Sequence, residues 1–370
     1  MIKIKKINLG VKIILICLAL VIFGCVMVFS ASSYASFKRY GNQFFFLNKQ
    51  IVGALIGAAG MIALSFFDYH KLIKLRWWAL GVSLILLVLV FVPHIGISNY
   101  GANRWVGFGS FSIQPSEIAK FVFVLFAAYY LSCNYNKIKS FKGALPLLLV
   151  GGVFCLLVIL EPNMSITMCL GMVMLIMLFV GGGSLKTFLC VSLPALCAVP
   201  LLIVSEPYRM KRLVAFLDPW GSPQAEGFQL IQSLYSLGGG GLFGVGLGNS
   251  RQKFLFLPFS ESDFIFSIIG EELGFFGATC LIVVFLILIV CLVKIALNAK
   301  DRFGTYLCIG VASVISIQVL INIAVVTGTI PPTGLPLPFI SAGSTSLVMF
   351  MMAIGVCANV CRQSSRSASF

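Results

Sequence analysis

The sequence predicts an all-α polytopic membrane protein of about ten transmembrane helices with both termini in the cytoplasm. Three observations lead there. Of 370 residues, 59% are hydrophobic and 10% charged, with 26 Lys and Arg against 11 Asp and Glu. Apolar runs of about twenty residues, enough to cross a hydrocarbon core as helix, recur from end to end. The basic residues fall in alternate connections between these runs, the asymmetry that sets membrane orientation. A soluble fold has no means of hiding so much apolar surface. So many spans leave no room for a separate soluble domain, and residues 1–370 read as one transmembrane domain.

The spans lie at roughly 11–32, 48–67, 77–95, 116–132, 144–160, 164–181, 186–204, 267–296, 304–327 and 340–360. The first follows Lys3, Lys5, Lys6 and Lys12, the flank of a signal peptide. No A-x-A cleavage site comes after it and further spans do, so it reads as a retained helix. With the N-terminus inside, Lys71, Lys74 and Arg76, then Lys137, Lys139 and Lys142, then Lys186, Lys300, Arg302, Arg362 and Arg366 all occupy cytoplasmic segments. Four outward segments exceed a tight turn, at roughly 33–47, 96–115, 205–266 and 328–339. The third, about sixty residues long, carries Phe228, Leu230, Ile231, Leu234 and Leu237 and suggests short amphipathic or re-entrant helices against the bundle. There is no internal repeat, so an inverted-repeat transporter gains little support.

The net charge of +15 sits at span ends, where headgroups and insertion rules account for it, and nucleic acid is excluded as a partner. The twelve cysteines fall within or at the ends of apolar runs and read as free thiols. Neither His70 nor His94 has neighbours that suggest metal or triad chemistry.

Outward basic residues are conspicuous against the positive-inside rule: Arg209, Lys211, Arg212, Arg251 and Lys253. They meet something anionic, or they touch outer-leaflet phosphates and pair with Glu206, Asp218 and Glu226. Asp263 stands where the long loop becomes a span. There a carboxylate takes a proton from a sugar hydroxyl, holds a divalent cation on a pyrophosphate, or caps the helix. Glu261 is a second carboxylate nearby. Glu117 and Lys120, one helical turn apart after Gln114-Pro115, mark a polar cavity or a structural pair inside the membrane. Glu271 and Glu272 pose the same question. Glu161-Pro162-Asn163 reads as an ordinary turn. The glycines from Gly238 to Gly248 follow no strand and precede no Lys-Ser/Thr, so they form a close-packed hairpin and not a nucleotide loop. An aromatic belt accounts for Trp77, Trp78, Trp105 and Trp220, with Trp105 also placed to stack on a sugar ring. The residues alone reach an outward site for an anionic, phosphate-bearing amphipathic ligand, without a reaction type.

The same segments resemble, in order and wording, the SEDS family (shape, elongation, division and sporulation), typified by FtsW, RodA and SpoVE. Gly101-Ala102-Asn103-Arg104-Trp105 and Gln114-Pro115-Ser116-Glu117-Ile118-Ala119-Lys120 look like its G-A-x-R-W and Q-P-S-E-x-x-K. Lys211-Arg212-Leu213 through Phe216-Leu217-Asp218-Pro219-Trp220, then Gly227-Phe228-Gln229 and Gln232-Ser233-Leu234, continue the likeness. So do Gly246-Leu247-Gly248, Gln252-Lys253, Leu257-Pro258, Asp263-Phe264-Ile265-Phe266, Gly270-Glu271-Glu272-Leu273-Gly274 and Thr333-Gly334 to Ser341. The Gln252-Lys253 wording is closer to FtsW and SpoVE than to RodA. Two stretches depart: L-P-E-x-H-T-D reads Leu257-Pro258-Phe259-Ser260-Glu261-Ser262-Asp263, and I-S-Y-G-G-S-S reads Ile340-Ser341-Ala342-Gly343-Ser344-Thr345-Ser346.

The resemblance implies a peptidoglycan glycosyltransferase that polymerises lipid II into β-1,4 glycan strands at the outer face of the bacterial cytoplasmic membrane, for division or sporulation. By position, Asp263 matches the family's essential aspartate, Trp105 its outward tryptophan, and Glu117 and Lys120 the charged pair of its central cavity. Arg209, Lys211, Arg212 and Lys253 are expected to offset the pyrophosphate, with Mg²⁺ or Mn²⁺ as an optional aid and no other cofactor. Expected partners are lipid II, the growing strand, a class B penicillin-binding transpeptidase and other division or sporulation membrane proteins. The competing readings are a lipid II flippase and a noncatalytic scaffold for a transpeptidase.

Overall fold

The computed structural model describes residues 8–99, 102–108 and 111–367. Lys3, Lys5 and Lys6 of the basic flank, and Gly101 of the Gly-Ala-Asn-Arg-Trp stretch, lie outside the described residues. The elements run α1 Leu9–Tyr40, α2 Phe45–Phe66, α3 Lys71–Leu89, β1 Gly96–Asn99, β2 Ala102–Phe108, β3 Phe111–Ile113, α4 Pro115–Cys133, α5 Phe141–Leu160, α6 Met164–Val180 and α7 Leu185–Val204. They continue with α8 Pro207–Leu217, a 3-10 turn Pro219–Gly221, α9 Phe228–Gly240, α10 Ile265–Leu297, α11 Arg302–Val326 and α12 Ser344–Ser367. Among the described residues nine helices are long and apolar enough to cross a membrane, and α6, 17 residues long, is a tenth apolar helix. The chain is a mostly helical multi-pass membrane protein, as expected, with one small sheet in addition.

The differences from the sequence reading have local causes. α3 begins at Lys71, not near 77, because Lys71, Lys74 and Arg76 extend the helix and send long stems back over apolar neighbours. The Arg76 guanidinium lies 3.9 Å from the Tyr129 ring. α1 continues to Tyr40 before Gly41, at φ 68, turns the chain. The segment expected as a bare outward loop folds into an antiparallel sheet of order β1-β2-β3, with Ile97 opposite Trp105 and Val106 opposite Ile113. The long segment after α7 forms the expected short helices α8 and α9.

α4, α11 and α12 form the interior, and α7 is peripheral, with Thr187 as its one buried residue. α2 lies tightly along α12: a Cβ at Gly53 comes 3.1 Å from Ser344, and one at Gly60 comes 2.9 Å from Met352. In lipid, such small-residue contacts replace the hydrophobic drive that packs soluble helices. Basic residues of the alternate connections meet at one end, where Arg362 donates to Phe66 O, the Lys300 N–H donates to Ser364, and Arg302 stacks 4.0 Å from the Tyr135 ring.

Of the glycine-rich stretch, Gly238, Gly239 and Gly240 end α9 instead of forming a hairpin, Gly240 and Gly244 pack closely, and the partner of the stretch is a break in α10. Gly274 takes φ 69, ψ −169, which interrupts the helical ladder inside the bundle. The loop supplies the missing bonds: Val245 and Gly246 donate to Glu271 O and Glu272 O at 3.0 Å, while Phe275 and Phe276 donate to Gly241 O and Leu242 O at 2.9 and 3.1 Å. Backbone groups at membrane depth have no water to bond, so the two segments satisfy each other. Only glycine tolerates that conformation, and a Cβ at Gly274 meets the Leu242–Gly244 backbone. Gly274→Ala is expected to destabilise the protein by about 2 kcal/mol, read as a lowered melting temperature in detergent.

Candidate active site

Asp263 closes the long loop one residue before the cap of α10. It does not cap that helix: the cap position is Phe264, without a side-chain bond. Instead its backbone is fixed from three sides. Asn322, inside α11, donates to Asp263 O at 2.9 Å and Leu335 O at 2.8 Å. Ser341 donates to Ser262 O at 2.6 Å, the Ala342 N–H donates to Glu261 O at 2.9 Å, and Ser260 reaches Ala31 O on α1 at 3.3 Å. The loop carrying Asp263 is thereby pinned to α1, α11 and the 330–343 connection, which holds its position while the side chain stays partly exposed.

The charges around the carboxyl set its chemistry. Enclosure by protein pushes its pKa up to about 7, the Glu261 carboxylate adds to the rise, and the Arg212 and Arg104 guanidiniums oppose it. A carboxyl that titrates near neutrality is matched to proton transfer at physiological pH. Gly334 stands against it: a Cβ there lies 3.3 Å from Asp263 Oδ2 and meets nothing else within 4 Å. Gly334→Ala is expected to cut activity roughly tenfold at unchanged melting temperature, because small displacements of a reacting group are costly. Turnover and melting of the same preparation check it.

Of the expected substrate-binding cations, one lies toward Asp263. Arg212, exposed on α8, bonds Pro332 O at 3.5 Å and acts electrostatically on Asp263. Arg209 is buried and donates to Leu202 O at 2.8 Å and Tyr208 Oη at 3.0 Å, fastening the corner between α7 and α8. Lys211 is exposed and pairs with Glu226 at 3.8 Å. The Lys253 ammonium is buried against Gly248 O and 3.7 Å from Glu272. Its partner also accepts from Ser30 at 2.6 Å, while Glu271 accepts from Ser236 at 3.1 Å and the Arg251 N–H at 2.9 Å. Lys253 and the two glutamates therefore tie the loop to α1, α9 and α10, apart from Asp263.

Glu117 and Lys120 are enclosed, 1% and 0% exposed, with their charges 2.9 Å apart. Ser346 donates to Glu117 at 2.7 Å and Lys120 donates to Gln318 Oε1 at 2.7 Å, so the pair joins α4, α11 and α12. Gln318 in turn donates to Pro336 O at 2.9 Å, one residue from the carbonyl held by Asn322. Through Gln318 the pair is thus linked to the 330–343 connection that also holds the Asp263 backbone, and it is sealed from solvent. Trp105 sits on β2, partly exposed, and projects from the opposite face of the strand to Arg104.

The family profile described as "Cell cycle protein", for FtsW, RodA and SpoVE, matches residues 11–366. The chain belongs to this family. It is 41% identical over 364 residues to "Stage V sporulation protein E" of Bacillus subtilis, covering 97% of this chain and 99% of that one. It is 40% identical over 357 residues to "Probable peptidoglycan glycosyltransferase FtsW" of Geobacter sp. strain M18, covering 95% and 96%. Among solved structures it resembles a chain from work on the structural coordination of polymerization and crosslinking by a peptidoglycan synthase complex (TM-score 0.78, 29% identity, 95% and 97% covered). It also resembles the rod shape determining protein RodA of Thermus thermophilus (TM-score 0.70, 26% identity, 95% and 96% covered).

Two residues of this family member went unselected in the sequence. Arg104, from β2, donates to Pro162 O and acts on both Asp263 and Glu161. Glu161 is fully buried, and among the described residues neither of its carboxylate oxygens finds a hydrogen-bond partner. Burial pushes it up to about 8 against the pull of Arg104. The available signal for Arg104 was its place beside Trp105 in the Gly-Ala-Asn-Arg-Trp stretch; Glu161 was masked by the Pro162-Asn163 turn.

Proposed function

We propose that the protein is a peptidoglycan glycosyltransferase polymerising lipid II, with Asp263 as the general base. The observation that carries this reading is a carboxyl held near neutral pKa, partly exposed and flanked by Arg104 and Arg212. Asp263 takes the proton from the 4-hydroxyl of the acceptor's N-acetylglucosamine as that oxygen attacks the anomeric carbon of the donor's N-acetylmuramic acid. The bond to undecaprenyl pyrophosphate breaks, and Arg104 and Arg212 meet the charge that develops on the leaving oxygens. An α-linked donor gives a β-1,4 product by inversion, so one base and a good leaving group suffice. Among the described residues no three His, Cys, Asp or Glu side chains gather into a group that would hold a metal ion by themselves, and Mg²⁺ or Mn²⁺ would be an optional aid bound largely through the pyrophosphate oxygens.

The basic end of the bundle faces the cytoplasm by the positive-inside rule, which turns Asp263 to the outer surface, and the chain acts as one domain there. The solved complex that joins polymerization to crosslinking supports a transpeptidase partner. Likeness to both a sporulation protein and FtsW supports a role in division or sporulation. The test is glycan synthesis from purified lipid II in liposomes, with and without a class B transpeptidase and divalent cations. Strands are expected from the folded wild type; their absence under every condition, with lipid II crossing the bilayer, would establish the flippase reading instead. Normal glycan growth around an inactive protein would favour the scaffold.

A further inference from the structure

We propose that the recess formed by the end of α4, the 134–140 connection and the start of α5 binds the phosphate of an anionic phospholipid headgroup. The recess is wide and open, with a volume of about 560 Å³, and is lined by Asn134, Asn136, Lys137, Lys139, Ser140 and Lys142 among others, with no carboxylate in its lining. It lies at the far end of α4 from Glu117, roughly 24 Å away by helix rise, and so belongs to neither the Asp263 site nor its supports.

The wall of this recess is built. Ile138 is fully buried and anchors the connection, leaving Lys137 and Lys139 on either side of it exposed. Tyr130 bonds Gly143 O at 2.6 Å, Asn134 bonds Tyr130 O at 3.1 Å, and Ser140 both caps Gly143 N at 3.1 Å and bonds Lys137 O at 3.0 Å. Among the described residues no ion pair engages any of the three lysines. Three ammoniums beside the N-terminus of α5, itself the positive end of a helix, favour a phosphate.

The apolar surface beneath decides for a lipid over a soluble anion. Phe141, Leu145 and Leu149 are 50%, 40% and 59% exposed. At i, i+4 and i+8 they form one stripe running from the recess along the membrane-facing side of α5. A phosphate in the recess is continuous with acyl chains on this stripe, and each lysine near an anionic headgroup strengthens the attraction.

The experiment measures retention of phosphatidylglycerol against phosphatidylcholine by native mass spectrometry of the protein in neutral detergent. Wild type is expected to prefer phosphatidylglycerol; Lys137→Gln/Lys139→Gln/Lys142→Gln is expected to lose roughly tenfold or more of that preference, and the corresponding triple Arg variant to keep it. Equal retention by wild type and the Gln variant overturns the proposal. So does displacement of the lipid by millimolar inorganic phosphate, which would make this a soluble-anion site. Photo-crosslinking of wild type with a phosphatidylglycerol probe needs no variant: label within 134–149 supports the site, and label only elsewhere refutes it.

Discussion

Asp263→Asn is expected to reduce lipid II polymerisation at least about a hundredfold while leaving the fold intact, since a positioned general base contributes roughly 10² to 10⁴. The substitution keeps the shape of the side chain, and the backbone at this residue is held by Asn322 whatever the side chain. The stronger form of the prediction concerns pH. The base works only when ionised, so with a pKa near 7 the rate with limiting substrate should rise through neutrality and level off above it. Glu261 raises that pKa by like-charge repulsion, so Glu261→Gln lowers it and moves the limb to lower pH. Arg212 lowers it, so Arg212→Gln raises it, and activity lost at pH 7 returns partly at higher pH. Opposite displacements in the two variants identify Asp263 as the titrating group; a limb that moves in neither assigns it elsewhere.

The spans were legible because each apolar run satisfies a length requirement that no local propensity overrides. Their edges were less so. Lys71, Lys74 and Arg76 look like a loop in a hydropathy reading, yet their stems let the helix begin there. The sheet at 96–113 was hidden by its composition, since Gly96, Ser98, Asn99, Asn103, Gly107 and Ser112 break the alternation that marks strands, and pairing between short segments holds it together. In the site, position along the chain pointed to Asp263, but it does not show which cations have other partners. Lys253 looked available because Glu272, its buried neighbour, is nineteen positions away inside a helix. Arg104 stands 159 positions before Asp263 in sequence, and only the folded sheet brings its charge to bear on that carboxyl.

The second large effect is expected inside the bundle, at Glu117 and Lys120. Lys120→Met removes the cation 2.9 Å from a carboxylate that is 1% exposed, leaving Ser346 as its remaining donor. Breaking a buried pair by removing one partner costs about 3–5 kcal/mol, because the other charge stays desolvated. Glu117→Gln leaves the complementary defect, a buried ammonium with neutral amide acceptors and no counter-charge. The double variant Glu117→Gln/Lys120→Met buries no charge and is expected to melt well above either single one, which measures the coupling between the two sites. Activity then separates the roles these residues can have. If the pair acts as a post that sets α11, and through Gln318 the Pro336 carbonyl beside the Asp263 region, recovered stability restores polymerisation as well. If substrate reaches the charges themselves, the double variant stays inactive however stable it is. Their enclosure by Ser346, Gln318 and the Phe350 ring, 5.4 Å from the ammonium, favours the first outcome.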